Sequence, residues 1–146
     1  MAKKFIEETG VDCLAVAVGT AHGAYNHGQK PTIHYDRLAE IKKVTGNFPL
    51  VMHGGSGTGD ETLAKCAKMG INKVNIGCEL FASAIANLKA ADTSGNGAYS
   101  LANLISEGYS KRLEEFFDIL DATDKAWPVK KFKSKDSKVI DENTVM

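Results

Sequence analysis

Pro49-Leu-Val-Met-His53-Gly-Gly-Ser-Gly57 is the stretch that decides the fold. A short apolar run of this kind reads as a buried parallel strand, and the glycines after it read as the turn into a helix. A histidine closes the run, so its ring falls at the carboxyl end of the strand. The same arrangement stands 31 residues upstream, in Leu14-Ala-Val-Ala-Val-Gly-Thr-Ala-His22-Gly-Ala-Tyr25. That interval is the length of one strand–helix–strand unit. Both imidazoles are therefore expected on one face of a sheet or barrel, the face where α/β enzymes keep their chemistry. Neutral imidazole is also the commonest metal ligand. A single histidine of this type is most simply a strand-end residue satisfied by backbone groups. Two at matching strand ends, each followed by a glycine that lets substrate and backbone come close, favour a shared ligand role.

Working outward, residues 1–9 read as the end of a helix stopped by Gly10, and residues 12–18 as the first strand. A polar loop runs from Thr20 to His34. A helix opens at Asp36, carries Leu38, Ile41 and Val44, and ends at Gly46. Phe48 to Met52 form the second strand. The next helix begins near Asp60-Glu61, where acidic residues oppose the positive end of the helix dipole. Gly70 stops it, and Ile71 to Ile76 form the third strand. The β-α-β-α-β order predicts an α/β fold with a parallel sheet and right-handed crossovers. From Glu79 the pattern turns helical, and after the loop Thr93-Ser-Gly-Asn-Gly97 a second amphipathic helix carries Leu101 to Leu120, with Gly108 expected to weaken it midway. Residues 1–127 form the domain, and 128–146, with Lys130, Lys131, Lys133 and Lys135, read as a solvated tail.

The chain has 146 residues, enough for one domain with a real core. Zero net charge gives no reason to expect nucleic acid or an anionic membrane as partner. No apolar stretch approaches the roughly 20 residues that cross a bilayer. The N-terminus lacks the apolar segment of a secretory signal. Cys13, Cys66 and Cys78 lie far apart in sequence, which suggests reduced thiols and a cytoplasmic setting. No CxxC spacing points to a cysteine-based zinc site.

Between a strand and a helix, the amides of Gly54-Gly-Ser-Gly57 are placed to meet an anion such as phosphate. Asn75-Ile-Gly-Cys78-Glu79 crosses from the third strand into the next helix, and in barrels the loops after the last strands often hold a phosphate. A turn or cap role explains Asn75 equally well. Asp36 and Asp60 are read as helix caps rather than acids of a mechanism. His27 and His34 belong to the long loop, which Gly23 and Gly28 could hinge as a lid. Lys73 invites a Schiff-base reading, but it stands near the start of its strand, away from the active face, so a structural role is expected. Cys78 at a helix start could be a reactive thiol; with no histidine near it in sequence, catalysis by it is not the favoured reading.

Thr20-Ala-His22-Gly-x-Tyr25, His53-Gly-Gly-Ser56-Gly57 and Lys73-Val-Asn75, in that order and spacing, resemble the class II, zinc-dependent fructose- and tagatose-bisphosphate aldolases. The resemblance covers roughly residues 1 to 90. It implies the C-terminal portion of a TIM (β/α)8 barrel, with residues 12–76 as the sixth to eighth strands, flanking helices and C-terminal helices after them. It implies Zn2+ as cofactor, with His22 and His53 as two of its ligands, and a monovalent cation, Na+ or K+. Gly23, Gly54, Gly55 and Ser56 match positions that bind dihydroxyacetone phosphate. Asn75, Ile76, Gly77 and Cys78 match the segment that holds substrate hydroxyl and phosphate groups. One position departs: the family usually has a hydroxyl-bearing residue where this chain has Cys78, and a thiol is the poorer donor to phosphate. A TIM barrel takes about 250 residues, and the family's catalytic aspartate and first metal histidine lie on earlier strands, outside this chain. The expectation is a ketose-bisphosphate aldolase fragment that forms a homo-oligomer or needs a complementing N-terminal half. The alternatives are a non-catalytic metal- or phospho-sugar-binding relic of the barrel and a Schiff-base aldolase using Lys73. Fructose and tagatose bisphosphate differ in the aldehyde half, which the earlier strands help to recognise.

Overall fold

In the computed structural model, which describes residues 1–21 and 30–126, three strands lie side by side in the order β1-β2-β3, all parallel. A helix α1, Ala2–Thr9, leads into β1, Leu14–Ala15; α2, Tyr35–Thr45, connects to β2, Leu50–Met52; and α3, Asp60–Lys68, connects to β3, Ile71–Val74. Then come α4, Cys78–Ala90, a 3-10 turn at Gly95–Ser100 and the long α5, Leu101–Ile119. The predicted α/β alternation is thus observed. Gly10 ends α1 in the left-handed conformation, its N–H donating to the Ile6 carbonyl, as the sequence requires of a C-terminal glycine.

The strands are shorter than predicted. β1 pairs through Leu14 and Ala15 only, with flanking bonds from Leu14 N to Pro49 O and from Val16 N to Val51 O. Val16 and Val18 beyond it are nevertheless buried, so the apolar run marks the core correctly while the ladder covers less of it. Between β2 and β3 the register slips by one residue: Leu50 faces Ile71 and Val51 faces Lys73. Asn72 is the extra residue, and its Oδ1 takes the Leu50 N–H at 3.1 Å. Such a bulge re-aims the side chain that follows it.

One face of the sheet and the helices enclose the core of Val16, Val18, Leu50, Met52 and Ile71, with Leu38 from α2, Leu63 and Cys66 from α3, Leu80 from α4 and Phe116 from α5. Against expectation, α5 runs unbroken through Gly108. There the helix crosses α4 so closely that a Cβ on Gly108 would lie 2.9 Å from the Ser83 carbonyl oxygen and 2.6 Å from Asn87 Cβ. Ser83 Oγ donates to Gly108 O at 2.8 Å and Asn87 Nδ2 to Leu104 O at 2.7 Å. The cost of glycine within a helix is offset by this contact. Asp36 and Asp60 lie in the first turns of α2 and α3, but neither caps by side chain; the cap residues are His34 and Gly59. The caps expected of these two aspartates are therefore corrected: their charge favours the helix starts, and Asp60 is drawn away by an arginine described below.

All three thiols are free, Cys66 buried and Cys13 and Cys78 exposed. Burial pushes the Cys66 thiol up, partly offset by the nearby charge of Lys65. Native labelling with a disulfide reagent is expected to modify two cysteines quickly and the third only in denaturant; prompt reaction of all three would show that the α3 face of the core opens readily. Among the described residues no helix is long and apolar enough to cross a membrane. The predicted tail at 128–146, and His22, Gly23, His27 and Gly28 of the loop, lie outside the described residues.

Candidate active site

His53 follows β2 directly and is half-buried at its carboxyl end, where the sequence places it. Pairing continues past the strands: Asn75 N donates to Met52 O at 3.0 Å and Gly55 N to Asn75 O at 3.1 Å. This fixes Asn75 beside His53, with its Nδ2 3.3 Å from the His53 Nδ1. The Lys73 ammonium donates to Asn75 Oδ1. An ammonium only donates, so the amide turns its NH2 toward the imidazole, and Nδ1 is the ring nitrogen that accepts. The sequence places Lys73 away from this end of the sheet. Lys73 and Asn75 stand two apart along the chain, so their side chains share one face, and the length of the lysine brings its head group to the site, where it orients Asn75.

Gly54 has φ of 68°, and a Cβ there would lie 2.3 Å from the Ala21 carbonyl oxygen. The backbone leading into His22 therefore packs against the residue that follows His53, and only glycine allows the approach. Thr58, a position that no sequence motif singles out, is among the described residues the one polar side chain in the buried set; its Oγ1 donates to Gly54 O at 3.1 Å and its N–H to Gly55 O at 3.2 Å. These bonds lock the turn.

The amides of the turn are partly committed to the protein itself. Gly55 N goes to Asn75 O, and Gly57 N goes to Glu79 Oε2 at 3.1 Å. Ser56 Oγ accepts from Gly77 N at 3.2 Å and from Glu79 N at 3.4 Å, tying the turn to the start of α4. Because its oxygen accepts both bonds, the Ser56 hydroxyl proton is available for donation. Ile76 and Gly77 are half-buried, and Cys78, exposed, is the first residue of α4.

Outside the turn, Arg112 of α5 gathers three carboxylates. Its Nη2 lies 2.6 Å from Asp60 Oδ1 and 2.5 Å from Glu79 Oε1, and its Nη1 lies 2.7 Å from Glu115 Oε2. These bonds, Asp60 foremost, push the guanidinium pKa further up. The sequence carries no local signal for Arg112: it belongs to a helix legible only by its apolar stripe, 33 residues from Glu79 and 52 from Asp60.

A catalytic zinc ion takes three protein ligands and leaves one position open. Among the described residues no group of three histidine, cysteine or acidic side chains could hold a metal. His53 offers one imidazole, Asp60 is bound to Arg112, and His22 lies outside the described residues. The described donor set thus does not by itself fit a zinc ion.

The YdjI aldolase from Escherichia coli K12 superposes with a TM-score of 0.72 and is 28% identical, over 86% of this chain and 45% of that one. A candidate fructose-1,6-bisphosphate aldolase from Coccidioides immitis gives a TM-score of 0.73 and 26% identity, over 84% of this chain and 42% of that one. The chain therefore spans less than half the length of either structure, and its three-stranded sheet matches part of each. The family profile of class II fructose-bisphosphate aldolases matches residues 1–125. With its strand-end histidine, its glycine turn and its parallel strands all in that match, the chain belongs to the class II fructose-bisphosphate aldolase family.

Proposed function

We propose that this chain carries part of the active site for reversible cleavage of a ketose bisphosphate to dihydroxyacetone phosphate and an aldehyde. One observation carries the proposal: the approach of Ala21 to Gly54, which draws the segment entering His22 to the end of His53. In this reading His22 and His53 are two ligands of a zinc ion, and the ion would take the His53 Nδ1 lone pair in place of the Asn75 contact. Zinc, when bound, supplies a Lewis acid for the substrate ketone oxygen.

The chain's own residues hold the three-carbon unit. With Gly55 and Gly57 engaged, the phosphate grip falls to the Ser56 hydroxyl proton, the start of α4 at Cys78 and Gly23 from the first loop. Fixing the phosphate there places the reacting carbons toward His53. The third ligand and the carboxylate that moves the proton come, in this proposal, from a complementing N-terminal half of the barrel. The free thiols suit a reducing compartment such as the cytoplasm.

A second reading is a non-catalytic phospho-sugar-binding relic. The observation that favours it is the engagement of Asp60 with Arg112, which leaves this aspartate unavailable as the acid. Titration with zinc and with dihydroxyacetone phosphate, beside an aldol cleavage assay with and without a family N-terminal half, separates the readings. The aldolase reading expects binding by the chain alone and chelator-sensitive cleavage once the half is added. Binding with no turnover in the complemented sample supports the relic, and cleavage that survives a chelator with substrate trapped on Lys73 by borohydride supports Schiff-base chemistry.

A further inference from the structure

The start of α3, the start of α4 and the middle of α5 meet at Arg112, whose side chain is 16% exposed. Its plane also rests on Phe116, 4.2 Å from the ring centre to Cζ, so the guanidinium is held from below by the core. Glu79 has two faces in this arrangement. Its Oε1 accepts from Arg112 Nε and Nη2, and its Oε2 accepts the Gly57 N–H. The backbone of Glu79 donates in turn to Ser56 Oγ. A continuous chain of polar contacts therefore runs from α5 to the turn Gly54–Gly57.

We propose that Arg112, acting through Glu79, is a positioning residue for this turn and neutralises the acidic charge beside it. The ligand class, a phosphate monoester, rests on the reading given under Proposed function. The physical argument has two parts. Two donors of one guanidinium on a single carboxylate oxygen fix the carboxylate, and so fix the Gly57 amide that its other oxygen accepts. That bond turns the Gly57 N–H toward Glu79 and helps to set where the neighbouring Ser56 presents its hydroxyl. The second part is charge. Asp60, Glu79 and Glu115 bring three negative charges to the rim of a turn proposed to hold a phosphate, and Arg112 is the cation bonded to all three. Without it, a dianion would enter against uncompensated carboxylates, Glu79 the nearest to the turn by its bond to Gly57.

The test uses the full chain and two readouts. Amide hydrogen exchange at Gly57, referred to Val16 in the sheet as a reporter of folding, reads the positioning without any ligand. Titration with inorganic phosphate and with dihydroxyacetone phosphate reads the charge effect. Arg112→Met and Glu79→Ala are each expected to speed Gly57 exchange about tenfold relative to Val16, the size of losing a hydrogen bond to a charged acceptor. Arg112→Lys, which keeps the charge and the fold but not the two-donor geometry, is expected to fall between. Arg112→Met is expected to weaken phosphate binding about tenfold. Adding Glu79→Gln to it should restore much of that affinity, because the offending charge is removed. A merely structural arginine predicts the opposite, two losses that accumulate. Unchanged Gly57 exchange in Arg112→Met and Glu79→Ala overturns the positioning role, and failure of Glu79→Gln to relieve Arg112→Met overturns the charge role. If the parent chain binds neither phosphate nor triose phosphate, the proposed function and the charge role are both overturned, while the exchange data still decide the positioning role.

Discussion

Replacing Gly54 with alanine is expected to cost the fold roughly 3 kcal/mol or more, the sum of a left-handed backbone and a steric overlap. The position has φ of 68°, where an L side chain costs about 1–2 kcal/mol. The new Cβ would also stand 2.3 Å from the Ala21 carbonyl oxygen and 2.8 Å from its carbon. These are backbone atoms, so no rotamer change relieves the contact, and the two strand-end segments must part. Gly10 is the control. Its φ is 66°, and a Cβ there meets nothing within 4 Å, so Gly10→Ala is expected to cost about 1 kcal/mol. Urea unfolding followed by circular dichroism measures both. Equal losses at the two positions would mean that the approach of Ala21 to Gly54 contributes nothing, and the case for His22 and His53 converging would lose its main support. Metal or triose phosphate binding should fall with Gly54→Ala and stay unchanged with Gly10→Ala.

The second large effect concerns the edges of the sheet. Among the described residues β1 presents an open edge, and a cleft of about 560 Å³ runs along it between α1 and α2. Phe5 and Val44 line it and are 47% and 52% exposed. On the far side a cavity of about 830 Å³ lies between α3, β3 and the end of α5, with Phe117 on its wall. In a parallel sheet such edges are ordinarily covered, and an apolar open edge pairs with another chain. The isolated chain is therefore expected to associate or to be weakly stable, with a thermal midpoint that rises with protein concentration. Phe5→Glu together with Val44→Glu should suppress association while leaving helix content unchanged. A family N-terminal half should protect the same edge and raise the midpoint further. A sharp unfolding transition of a monomer, independent of concentration, would contradict the prediction.

Val44 shows how far a sequence pattern reaches. Leu38, Ile41 and Val44 form one helical stripe, and a stripe predicts a buried face. Leu38 is fully buried, while Val44 stands out at the cleft. The periodicity is right, and what covers the end of the stripe is not in the described residues. Lys73 illustrates a different limit. Its place in the strand and its spacing of two from Asn75 are legible, but that Asn75 lies beside His53 is not, because register depends on the partner strand. Gly108 is a third case: helix propensity assigns it a penalty, and only the crossing of α4 over α5 shows what the absent side chain permits.

The order of helices and strands, the glycine stop after α1, the strand end at His53 and the turn after it were all determined by the sequence alone. Each depends on neighbours a few residues apart, through hydrophobic period, backbone conformation and turn chemistry. The tertiary structure alone decided which amides of that turn are already taken, that Asn75 lies beside His53, and that Arg112 joins Asp60 and Glu79. Those pairings join residues from different elements, and they exist only once the helices cross and the strands align at particular angles and registers. Local composition carries no record of those angles.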